Sequence, residues 1–253
     1  MNVFLLKRLK EFNIQIQDIL NLIKFNDNDG VLIYTSHMEG LGTKGSDFDI
    51  YVICDHIPEL ELSRKSGEVI IKNYYINGVQ LDVEYWTIDY IRSIIKRLNE
   101  NKISLDEIKF LYRVIKGEII YNDNKFLNIK RDASISKIKQ ILLNIYLDAC
   151  RGAADDALNM YNNNDYISAV VGGRKALDYA MAVVNTMNDN LTCKLKWTPK
   201  LLLNSLGKDN KLVQQYLRLQ VYCDINEDNI KSYIEEIIGV TQDIISTASL
   251  GEI

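Results

Sequence analysis

Asp47 and Asp49 stand two apart in Ser46-Asp47-Phe48-Asp49-Ile50, and a third acid follows in Leu81-Asp82-Val83-Glu84-Tyr85. Side chains two apart on a strand share a face, so Asp47 and Asp49 read as a pair of carboxylates directed into one site. Such a pair repels itself unless a cation sits between the two groups. Mg2+ is a hard ion that takes oxygen ligands from carboxylates and phosphates. Two such ions can activate an attacking oxygen and stabilise a leaving pyrophosphate. In the second stretch, alternation puts Asp82 and Glu84 on one face and Leu81, Val83 and Tyr85 on the other. The pair reads either as a third acid brought in from a neighbouring strand, with Glu84 beside it, or as two acids exposed on an edge.

The elements that must position these acids follow from periodicity. Phe4, Leu5, Leu9, Phe12, Ile16, Ile19, Leu20 and Ile23 recur at helical spacing and predict one amphipathic helix. It ends in the turn-rich Asn26-Asp27-Asn28-Asp29-Gly30. Val31 to Tyr34 reads as a buried strand, and a loop with three glycines leads to a second strand from Phe48 to Cys54. Two further β-rich runs, 68–76 and 79–86, flank Asn77-Gly78, the strongest short-range hairpin signal. Residues 88–114 return to a helical pattern, and Glu118 to Tyr121 predicts a small edge strand. Asn122-Asp123-Asn124-Lys125 reads as a linker. Beyond it the segments 134–162, 165–189, 198–206, 209–222 and 226–248 all read as helices. The expected fold class is therefore α+β, with a small mixed-sheet domain over 1–125 and an all-α helical bundle over 126–253.

Composition narrows the function classes. Of the 253 residues, 47% are hydrophobic and 25% charged, ordinary values for a globular protein. The formal net charge of −4 argues against stable, sequence-independent binding to nucleic acid, which depends on many Lys and Arg. Cys54, Cys150, Cys193 and Cys223 form no CxxC pair, so reduced thiols are expected rather than a disulfide framework or a zinc site. Val3-Phe4-Leu5-Leu6 is too short for a signal-peptide core, and no apolar run is long enough to span a membrane. The expected location is the cytoplasm.

The first strand, its loop and the Asp-Phe-Asp stretch together resemble the nucleotidyltransferase signature of the DNA polymerase β superfamily. That signature has a small residue and Ser after a strand, a spacer, Asp-hydrophobic-Asp, and then a separate hydrophobic-acid-hydrophobic element. Here Ser36 precedes Asp47 by eleven positions, and Leu81-Asp82-Val83 supplies the last element. Thr35 stands where the family commonly has Gly. The resemblance covers roughly residues 28–121. It implies that Asp47, Asp49 and Asp82 form the catalytic and metal-binding set, with two Mg2+ ions. It also implies that Ser36 and nearby backbone N–H groups grip the triphosphate of a nucleotide donor, ATP foremost. Thr35 and Ser46 would lie beside them, and Lys44 would add charge.

The carboxy-terminal half resembles the helical domain of antibiotic nucleotidyltransferases of the kanamycin and lincosamide types. The residues that carry this are Asn164 to Ala169, Arg174-Lys175-Ala176-Leu177-Asp178 and Lys196-Trp197-Thr198-Pro199-Lys200. The resemblance implies a general base on a helix, Asp148 first and Asp155 second, with Arg151 close by to bind nucleotide. It also implies a small-molecule hydroxyl as acceptor and a homodimer. Two other readings keep the fold: nucleotidylation of a protein or a tRNA, and a catalytically silent nucleotide-binding module. An RNase that needs an Arg-x4–6-His motif is excluded, because no histidine follows His56.

Plainer readings stand beside these. Asp148 and Asp155 also fit helix-surface acids, and His37 a simple loop residue. Arg174 and Asp178 are four apart, which permits an intrahelical ion pair.

Overall fold

In the computed structural model, which describes residues 1–250, the chain divides into two compact units, Met1–Ile138 and a second that begins at Lys139. In the first unit the order is α1 (Val3–Glu11), α2 (Ile16–Leu22), β1 (Gly30–Tyr34), a 3-10 turn (Ser36–Glu39), β2 (Phe48–Cys54), β3 (Arg64–Ser66), β4 (Val69–Ile76) and β5 (Val79–Thr87). Then come α3 (Ile88–Asn99), α4 (Leu105–Lys116), β6 (Glu118–Tyr121) and α5 (Asn124–Asp132). The strands form one mixed sheet in the order β3-β4-β5-β2-β1-β6. Among the described residues, only the β2–β5 pair is parallel and every other pairing is antiparallel.

The central strand β2 is buried along its whole length, as its near-continuous apolar run requires. Its neighbour β5 alternates, with Leu81, Val83 and Tyr85 fully buried and Gln80, Asp82 and Glu84 half-buried on the opposite face. Between β4 and β5, Asn77 and Gly78 take φ of 48° and 78°, the two positive angles of a type I′ hairpin turn.

Two helical predictions are corrected. The amino-terminal helix is two helices, because Asn13 takes a left-handed φ of 51° and the Asn77 amide donates to the Phe12 and Asn13 carbonyls at 3.0 and 3.1 Å. The helical run over 88–114 is likewise divided. Asn101 takes φ of 57°, and Ser104 with Glu107 closes a capping box that starts α4. The composition changes near residue 125, but the division between units falls later. Phe126 of α5 is fully buried in the first unit, and a Cβ on Gly30 would lie 2.8 Å from Lys125 and Phe126.

The division lies within α6 (Ile135–Asn162). The second unit continues with α7 (Tyr166–Met187), α8 (Thr198–Leu206), α9 (Lys211–Leu217), a π-helical turn (Arg218–Tyr222) and α10 (Ile230–Leu250). Its core joins Leu177, Met181 and Val184 of α7 to Ile234, Ile237 and Ile238 of α10. Gly173 costs α7 about 1 kcal/mol relative to alanine. It is explained by close packing: a Cβ there would lie 2.8 Å from Ile237 Cγ2. Among the described residues, no helix is long and apolar enough to cross a membrane. The architecture is the expected α+β one, a mixed-sheet unit followed by a helical one.

Candidate active site

The parallel register sets Asp49 directly opposite Asp82, and Tyr51 opposite Glu84. Paired residues on neighbouring strands share a face, so both aspartates lie side by side on one surface of the sheet. Asp47 lies two residues before Asp49, just ahead of β2, and is half-buried. Asp82 Oδ1 accepts from Asn73 Nδ2 at 2.7 Å and from Gln80 Nε2 at 2.6 Å. Glu84 accepts from Trp86 Nε1 at 3.1 Å, and burial first, then the nearby Asp49 charge, raise its carboxyl above the usual range.

Asp49 is only 8% exposed, and its Oδ1 accepts from Arg113 Nη1 of α4 at 2.8 Å. The same nitrogen donates to the Tyr51 hydroxyl at 2.6 Å. Burial works against the Arg113 charge, but Tyr51 and Asp49 outweigh it and strengthen the guanidinium's hold on its proton. Among the described residues, no three His, Cys, Asp or Glu side chains form a group that could hold a metal ion. The oxygen donors of Asp49 and Asp82, with Asp47 close in sequence, suit a hard divalent cation. One of them already carries a buried positive partner.

The loop between β1 and β2 is tied internally. The Thr35 hydroxyl donates to the Asp47 carbonyl at 3.1 Å, Ser36 Oγ donates to Ser46 Oγ at 3.3 Å, and Ser46 Oγ accepts from the Thr43 N–H at 2.9 Å. Thr35 is fully buried, so its side chain anchors the Asp-Phe-Asp stretch and offers no surface to a nucleotide. His37 Nε2 donates to the Thr43 carbonyl at 2.8 Å, and Gly42 packs so closely on the His37 ring that any Cβ would collide with it. Lys44 is exposed at the tip.

Sequence reasoning missed two arginines. Arg113 lies on α4, far in sequence from every aspartate it serves. Arg8 of α1 is 3% exposed, lies 4.2 Å from the centroid of the Phe12 ring, and donates to the carbonyls of Lys44 and Ser46. It thus fixes the loop from below. A 480 Å³ cleft beside it is lined by Lys7, His37, Thr43 and Lys44 among others. Arg8→Ala is expected to cost the first unit roughly 1.5–3 kcal/mol, the worth of a hydrogen bond to a charged group. Urea unfolding of the variant against wild type checks this, and an unchanged midpoint would mean that the loop needs no support from α1. A second cleft of 310 Å³ is lined in part by Tyr51, Glu84 and Trp86.

Two candidates of the helical unit, Asp148 and Arg151, pair with each other on α6. Asp148 is exposed, with Arg151 Nη1 3.5 Å from its Oδ1, and Asp155 is exposed on the same helix. The ion pair that the Arg174–Asp178 spacing permits does not form. Arg174 Nε donates instead to the Tyr233 hydroxyl at 2.7 Å. Asp178 accepts from Tyr216 at 2.8 Å and from Gln220 at 2.9 Å, and burial raises its carboxyl above 3.8 despite these bonds. A carboxyl with a raised folded pKa contributes its stability below the unfolded value and loses it as pH rises through the folded one. Wild type is therefore expected to lose stability relative to Asp178→Asn between pH 3.5 and 7. Urea midpoints at the two pH values measure the difference.

The fold is similar to that of a nucleotidyltransferase-like protein from Exiguobacterium sibiricum 255-15. The two share 12% identity with a TM-score of 0.54, over 90% of this chain and 72% of that one. No family model and no curated protein matches the chain. At that identity the likeness shows the fold, which is nucleotidyltransferase-like.

Proposed function

We propose that the chain is an Mg2+-dependent nucleotidyltransferase that moves a nucleoside monophosphate from a nucleoside triphosphate, ATP foremost, to a hydroxyl of a small antibiotic-like acceptor. The observation that carries the reading is the Asp49–Asp82 register on one face of a nucleotidyltransferase-like sheet, with Asp47 and the tied loop at its entrance. The acceptor oxygen bonds to the α-phosphorus as the bond to the β-phosphate oxygen breaks. Pyrophosphate leaves, and the hydroxyl proton passes to a carboxylate acting as general base. A divalent cation held by Asp47, Asp49 and Asp82 would supply activation of the attacking oxygen and neutralise charge on the leaving group.

The chain's own residues do the positioning. Ser36, Ser46 and the loop N–H groups orient the triphosphate, Lys44 adds positive charge, and Thr35 and Arg8 hold the loop in shape. Preorganised dipoles and charges of this kind account for much of the barrier lowering in phosphoryl-type transfers. The resemblance to kanamycin-type enzymes supports a homodimer.

Purified protein incubated with Mg2+, each of four nucleoside triphosphates and a panel of aminoglycosides and lincosamides tests this. Pyrophosphate release that needs one acceptor and vanishes in Asp47→Asn/Asp49→Asn is the expected result. No release with any acceptor, alongside clear nucleotide binding, would discard the resistance-type reading. The Arg113–Asp49 pair favours a second reading, a nucleotide-binding module without transfer, which that same outcome would support.

A further inference from the structure

Arg113 enters the acidic centre from α4 and is 4% exposed. Its Nη1 touches Asp49 Oδ1 and the Tyr51 hydroxyl, and its guanidinium lies 5.2 Å from the centroid of the Tyr34 ring. These partners come from β1 and β2, two strands of the sheet, so the charge is built into the core rather than swung in from solvent. A guanidinium keeps its proton throughout the accessible pH range, so this positive charge is permanent. Asp82, facing Asp49 across the parallel pair, is oriented by Asn73 and Gln80 instead. A divalent ion seated on Asp49 would stand against a fixed cation in a poorly screened interior.

We propose that Arg113 is a resident cation of the acidic centre: it takes the place of the ion that Asp49 would otherwise share, so the chain binds its nucleotide with one divalent ion instead of two. The inference rests on the nucleotidyl-transfer reading only for the presence of nucleotide. The ion is then held by the carboxylates of Asp47 and Asp82 rather than by all three aspartates, and Asp49 serves to hold the guanidinium.

The test counts ions. Mn2+ is titrated into chain saturated with a nonhydrolysable nucleoside triphosphate analogue, and unbound Mn2+ is read from its electron paramagnetic resonance signal. Wild type is expected to take up one ion per chain, Arg113→Lys one, and Arg113→Gln two. Two ions in wild type, or still one in Arg113→Gln, overturns the inference while leaving the transferase reading intact. If the analogue binds none of the chains, the transferase reading fails, and Mn2+ alone decides. Arg113→Gln should then bind it about tenfold more tightly than wild type, and equal affinity overturns the inference. Should Arg113→Gln not fold, the wild-type count decides by itself.

Discussion

Asp82→Asn is expected to slow the proposed nucleotidyl transfer by roughly 10²–10³-fold while leaving Tm within about 2 °C of wild type. Asp82 is half-buried and accepts two amide hydrogen bonds through one oxygen, from Asn73 and Gln80. An asparagine oxygen accepts both bonds, so the β4–β5 hairpin keeps its geometry. What disappears is the negative charge opposite Asp49, and with it the oxygen donor for a cation on that side of the site. Steady-state pyrophosphate release and a thermal melt on the same preparation separate these effects. Full activity in the variant would remove Asp82 from the chemistry, and a large fall in Tm would make it a structural acid.

The second large effect is on stability. Arg113→Ala is expected to cost the first unit about 3–5 kcal/mol, because it leaves Asp49 as a buried charge with its cation removed. A buried pair is not by that token a large net stabiliser, since both ions are desolvated to form it. Replacing Asp49 and Arg113 together by leucines is therefore expected to recover most of the loss. Urea unfolding followed by tryptophan fluorescence in a Trp197→Phe background, where Trp86 of this unit is the reporter, measures both. If the double variant were as unstable as the single one, the hydroxyl of Tyr51, which accepts from the same Arg113 nitrogen, would be the more important partner.

The acids were legible in the sequence for a local reason. Period-two alternation assigns Asp47 and Asp49, or Asp82 and Glu84, to one face without any tertiary knowledge, and Asn77-Gly78 marks the hairpin that turns β4 back beside β5. What alternation does not contain is which strands become neighbours, and the parallel β2–β5 pairing sets Asp49 against Asp82. Arg113 and Arg8 escaped because each sits on an amphipathic helix as an ordinary charged residue. Their roles exist only once α4 and α1 pack on the sheet and the loop. The helix breaks at Asn13 and Asn101 escaped for the opposite reason. Apolar residues recur on either side in helical phase, while a single left-handed asparagine reverses the chain. The three-residue strand β3 is fully exposed and carries no apolar pattern to read. In the helical unit, the Arg174–Asp178 spacing permits an ion pair that does not form, because Tyr233, Tyr216 and Gln220 take up both groups.

The most direct test of the central claim is the mass of the acceptor. Wild-type chain, Mg2+, ATP and each acceptor of the panel are incubated together, and the small molecules are analysed by mass spectrometry. One acceptor is expected to become heavier by a nucleotidyl group, a nucleoside monophosphate less water, in step with pyrophosphate release and not with Asp82→Asn. Saturating ATP binding with no adduct on any small molecule, protein or RNA acceptor would contradict it and leave a nucleotide-binding protein built on a nucleotidyltransferase-like fold.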